Sequence, residues 1–251
     1  MTHLASRYDQ PTFDLLALAM AYSNNNHPQT LDVFSQRGDI EGVARLLALS
    51  AYTWTHATKA LWEAAHNGHA GCVSLLIPVS DPKANNSEAL REAALNGHAE
   101  CVKLLIPFSD PKAHNSQALR RAARSGHAEC VKLLIPVSDP KAAGSLALRW
   151  AANNGRLECA KLLLPASAPL IELAGVLTDV LGSGHAKVLG IMLAHEPRLL
   201  EWIDLAESLY AASAQGHSEL EYFLRSIIDQ RSIVEHLDAP KALNAPAPRR
   251  L

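Results

Sequence analysis

The chain has 251 residues, with 23 Lys+Arg against 25 Asp+Glu and a formal net charge of -2. That balance gives no overall attraction to nucleic acid or to an anionic membrane, so any basic footprint must be local. No apolar run approaches the roughly 20 residues of a membrane span, which leaves no spanning helix to expect.

At the N-terminus, Asp9 and Asp14 and the lack of a basic leading region argue against a secretory signal, and a cytoplasmic address is the default expectation. Pro11 to Tyr22 reads as an amphipathic helix closed by the polar run after Tyr22. Residues 1–29 are therefore expected to form an N-terminal cap.

The central chain is a repeat. Gly68, Gly97, Gly126, Gly155 and Gly184 stand 29 residues apart, each followed by histidine except for Arg156 after Gly155. Gly38 lies 30 residues before the first of them and Gly216 lies 32 after the last, which extends the array to about seven units over residues 30–225. A fixed period in this range signals stacked supersecondary modules that grow in one dimension. The first unit, from Thr30, keeps Leu31, Phe34, Val43, Leu46 and Leu47 in the apolar register.

In the central units Thr58, Ser87, Ser116 and Ser145 stand ten residues before the glycine, where a hydroxyl is expected to cap the first helix. That helix carries Leu90, Ala93 and Ala94 on one face and ends at Asn96-Gly97, since glycine takes the left-handed cap conformation without steric cost. The second helix has Glu100 in its first turn and Cys101, Leu104 and Leu105 on its apolar face, and Pro107 stops it. A short loop of turn formers, SDPKANNS, leads to the next unit. Helices this short are marginal alone, so stability must come from stacking.

Beyond Pro165 the alanine pair is replaced by Val180 and Leu181, which should change the local packing. Residues 226–237 are expected to add a C-terminal capping helix, and residues 238–251 form an Ala/Pro-rich tail read as disordered.

The string ALREAALNGHAECVKLL, Ala89 to Leu105, resembles the ankyrin repeat, with its alanine pair, glycine-histidine turn and leucine pair in register. The resemblance covers roughly Leu31 to Leu224 and implies an all-α helix-turn-helix-loop solenoid. Two departures stand out. The family's T-P-L-H segment reads Glu88 to Arg91, so its threonine-histidine bonding is missing. The 29-residue period falls short of the usual 33 or so, which implies short or absent β-hairpins in place of projecting fingers.

Cys72, Cys101, Cys130 and Cys159 share one repeat position on the apolar face. Neighbouring helices pack about 8 to 10 Å apart, beyond the reach of a disulfide, and buried thiols behave as small hydrophobes. A turn histidine and a cysteine per unit make half a zinc site, with no second half close in sequence, so neither metal nor cofactor is expected. No catalytic signature appears, so no enzyme activity and no catalytic residue is expected. The columns Arg91, Arg120, Arg149 and Lys103, Lys132, Lys161 suggest a phosphate stripe, but Glu100, Glu129, Glu158 and Asp81, Asp110, Asp139 repeat as regularly. A charge-balanced solvated surface, with no nucleic acid and no membrane partner, is the expectation.

Because the central units are near copies, positions that differ are free to be used. Five residues before the glycine stand Glu63, Glu92, Arg121 and Trp150, and two before it stand His66, Leu95, Arg124 and Asn153. With Trp62 they place tryptophan and arginine, types enriched at binding hot spots, on the helix that lines the concave side in arrays of the resembled family. The expected function is a monomeric protein-protein interaction module that binds its partner there. The alternative is a delivered effector or toxin-neutralising protein that uses the array to block another protein. Phe108, valine in the neighbouring units, either adds a contact or fills the core.

Overall fold

The computed structural model describes residues 28–48, 52–166 and 170–238. The described α-helices fall into seven antiparallel pairs. The pairs are α1 (Pro28–Arg37) with α2 (Ile40–Ala48), α3 (Trp54–Asn67) with α4 (Ala70–Leu76), and α5 (Ala84–Leu95) with α6 (Ala99–Leu105). They continue as α7 (Ala113–Ser125) with α8 (Ala128–Leu134), α9 (Ala142–Asn153) with α10 (Leu157–Leu163), α11 (Leu170–Ser183) with α12 (Ala186–His195), and α13 (Leu205–Ala214) with α14 (Ser218–Asp238). No strand is present among the described residues.

Each pair turns at its glycine, from Gly38 to Gly216, all with positive φ. A second constraint acts at the same atom. A Cβ on Gly97 would meet the His127 ring at 2.4 Å, because each unit's turn histidine lies over the preceding unit's glycine. The ring nitrogen then bonds a carbonyl of that unit, as in His98 Nε2 to His66 O at 3.0 Å. Where Arg156 replaces the histidine, its Nε donates to Arg124 O at 3.2 Å and makes the equivalent link.

First helices pack on first helices along the chain and second helices on second helices, so the array has two layers. The alanine pairs make the close approach possible: Ala64, Ala93, Ala94, Ala122 and Ala151 are fully buried, with Leu90, Leu119 and Leu148 beside them. In the second layer Cys101, Val102 and Leu105 and their counterparts are buried, while Leu104 is only half-buried. Phe108 does not fill the core, being 50% exposed.

The serine column departs from its expected role. In α5, α7 and α9 the three residues before the right-handed helix, Asn85–Ser87, His114–Ser116 and Ala143–Ser145, form a left-handed turn with φ between 49° and 67°. Ser87 and Ser116 do not cap their own helices. Ser87 Oγ instead accepts Asp110 N–H at 2.7 Å and Ser116 Oγ accepts Asp139 N–H at 2.8 Å, each from the following unit's loop. Thr58 likewise accepts Asp81 N–H at 2.9 Å from inside α3, whose cap is Thr53. The reverse link comes from Ser109 and Ser138, whose hydroxyls donate to Pro82 O and Pro111 O, both at 3.3 Å. The SDP loops are thus hung one from another, and this staircase occupies the place of hairpins.

Toward the C-terminus Val180 is buried where the central units have alanine. A 3-10 turn, Pro197–Trp202, then packs on α11 and α12, with Leu199 buried. Residues 226–237, expected as a separate capping helix, continue α14 without a break. The expected N-terminal capping helix and the tail after Asp238 lie outside the described residues. No described helix is long and apolar enough to cross a membrane.

Candidate functional site

The nine variable residues lie on four consecutive first helices: Trp62, Glu63 and His66 on α3, Glu92 and Leu95 on α5, Arg121 and Arg124 on α7, Trp150 and Asn153 on α9. The alanine faces of these helices are consumed in stacking of one first helix on the next. The variable residues divide into two clusters.

In the first, the Trp62 and His66 rings stack with centroids 5.2 Å apart and an interplanar angle of 23°. His66 Nδ1 lies 3.3 Å from Glu92 Oε2 and 3.1 Å from Asn96 Nδ2, which also donates to His66 O. The other Glu92 oxygen accepts from Arg121 Nη1. A single half-buried carboxylate thus joins α3, α5 and α7. Asn96 was not singled out by sequence, though its place beside the turn glycine, within reach of the neighbouring unit, was the available signal.

In the second, two guanidinium groups of the preceding unit lie over the Trp150 ring, with Arg120 Cζ 5.4 Å and Arg124 Cζ 5.6 Å from the ring centroid. Glu63, Leu95 and Asn153 stay outside both clusters: they share the face and their side chains hold no other member of it. Asn153 contributes its backbone carbonyl to His185 at 3.0 Å.

The arginine column is structural as well as charged. Arg91 Nη2 donates to Asn85 O and Arg120 Nη2 to His114 O, which braces the first residue of each left-handed turn from within the same unit. Arg91 also reaches Gln117 Oε1 in the next unit at 2.8 Å. Burial lowers the pKa of both arginines, and their Nε atoms are buried without a partner. Arg149 differs: its hydrogen bond to Asp179, at 2.8 Å, raises its pKa. In α3 the column position is Trp62, and α3 has no left-handed turn to brace. Here a cavity of about 350 Å³ opens, lined by Thr55, Lys59, Trp62, Asp81 and Glu88 among others.

The second layer offers little chemistry. The four cysteines are free and buried, and burial pushes the thiols of Cys101, Cys130 and Cys159 up to about 11. They are protonated and shielded near neutral pH, which makes them poor nucleophiles. Among the described residues no group of three His, Cys, Asp or Glu side chains is placed to hold a metal ion. The charges of helix two pair along the surface, as in Lys161–Glu158 at 2.7 Å.

A family model for ankyrin repeats (3 copies) matches residues 3–117 and 93–171 of the chain. No curated protein matches it.

Proposed function

The chain belongs to the ankyrin-repeat family, a family of protein-protein interaction modules, and we propose that it is a non-enzymatic binder that takes its partner protein on the first-helix face between α3 and α9. The observation that carries this reading is Trp150, in cation–π contact with Arg120 and Arg124 on the first-helix face, where the near-identical units differ. Tryptophan and arginine contribute most to binding when a rigid, partly desolvated pocket presents them, and stacking on the preceding unit pre-organises all three side chains here. Leu95, Arg124 and Asn153 extend the surface beside them, and Glu63 extends it on α3.

The test is a pull-down with Arg124→Glu/Trp150→Ala beside a second-layer control, Lys103→Glu. Arg124 is exposed, so circular dichroism should show an intact array. Loss of the partner with the first variant alone supports the face, and an unchanged partner with the folded first variant defeats it.

A further inference from the structure

We propose that the anchor of this face, Arg120–Trp150–Arg124 with Arg156 at its edge, selects a partner segment in which clustered Asp or Glu carboxylates adjoin an apolar residue. The proposal rests on the interaction reading above and adds the chemistry of the partner.

Positive charge on this part of the face is left uncompensated. α7 carries Arg120, Arg121 and Arg124 and no carboxylate. Only Arg121 is neutralised, by Glu92. Arg120, Arg124 and Arg156 form no ion pair with any described residue, and the Arg120 Nε is buried with no acceptor. Nearby carboxylates are already engaged: Asp179 holds Arg149, Glu158 holds Lys161, and Asp139 Oδ1 accepts Lys141 N–H in its own loop. Arg120 is partly buried without a counter-charge, which is costly unless an anion reaches it, Arg124 and Arg156 present exposed guanidiniums beside it, and carboxylates accept guanidinium N–H groups in pairs. The Trp150 ring beside these guanidiniums supplies apolar surface for the neighbouring side chain.

The surroundings favour a peptide over a nucleic acid. The cationic cluster is bounded along the first-helix layer by Glu63, Glu88 and Glu92 toward α3 and by Asp179 and Glu207 toward α13. A phosphate backbone needs a continuous basic track, whereas a short acidic segment needs only this patch.

Panning a phage-displayed library of random peptides on the full chain, then measuring enriched sequences as synthetic peptides by fluorescence anisotropy, tests this. Enriched peptides should carry Asp/Glu clusters beside an apolar residue and should weaken as salt is raised. Arg124→Glu should reduce their affinity about tenfold or more, and exchanging the peptide's acidic residues for lysine should restore binding to Arg124→Glu. Neutral or basic peptides that are lost with Leu95→Arg or Asn153→Arg would overturn the acidic preference and leave the face intact. Peptides indifferent to Arg124→Glu, Leu95→Arg and Asn153→Arg would overturn both readings. Enrichment of nothing, or displacement of the peptides by random single-stranded DNA whose own binding is lost with Arg124→Glu, would also overturn the proposal.

Discussion

The two layers of the array solve the same stacking problem with different materials. In the central units the second layer repeats Cys, Val and Leu in buried positions and ties its charges to neighbours on the same helix, as Lys161 is tied to Glu158, while the exposed pair Lys187–Glu219 joins two second helices nearer the C-terminus. The central first helices repeat alanine and leucine in the core, and the polar residues of this layer reach across to the next unit: His66 to Glu92, Glu92 to Arg121, Arg91 to Gln117 and Arg149 to Asp179. Adhesion in the second layer is uniform and non-directional. In the first layer it is specific to each interface, because a carboxylate on one helix requires an arginine or histidine on its neighbour. Unit order is therefore written in the first layer, and so is whatever charge is left over for a partner.

The largest break in this comparison should come from the uniform layer. Leu105→Ala, at a fully buried position, should cost about 2–5 kcal/mol in urea unfolding, whereas Leu104→Ala, half-buried on the same helix, should cost distinctly less.

Next comes the loop staircase between layers. Ser116→Ala removes the acceptor of Asp139 N–H and should cost about 1–3 kcal/mol. Ser116→Thr, which keeps the hydroxyl, should recover part of that loss. If serine capped its own helix instead, amide exchange at Asp139 would be untouched by the alanine variant.

A double-mutant cycle on Glu92 and Arg121 separates the two kinds of charge. Their side chains are 14% and 25% exposed, and coupling of about 1–2 kcal/mol is expected for a partly buried pair linking two units. The same cycle on Glu158 and Lys161 should give about 0.5 kcal/mol or less, as for exposed pairs on one helix.

The smallest effect has the opposite sign. Ala143 sits at φ 53° in the third left-handed turn, a conformation that costs a non-glycine residue about 1 kcal/mol or more. Ala143→Gly should raise the unfolding free energy by up to about 1 kcal/mol, whereas a right-handed backbone there would make the same substitution destabilising.

Most of the scaffold was legible. The glycine step, the buried Leu90, Ala93 and Ala94, and the buried Cys101 and Leu105 follow from local periodicity, because each residue's role is set within its own unit, whereas Val102 takes the buried place expected of Leu104. The left-handed turns left a trace in Asn86, Asn115 and Gly144, residue types that tolerate positive φ, yet a serine before a helix reads first as a cap. The two readings differ only in which N–H the hydroxyl meets, and that N–H lies 23 residues ahead in the chain. The arginine column reads as solvated surface for the same reason: the Asn85 carbonyl becomes the partner of Arg91 only once the turn is left-handed.

Sequence by itself determined the period, the two-helix unit, the turn glycines and the buried columns, since these depend on residue type and spacing along one short stretch. Tertiary structure decided the partners. Stacking brings residues about one repeat apart into contact, and only then does Glu92 belong to Arg121, Ser116 to Asp139 and Trp150 to Arg120 and Arg124.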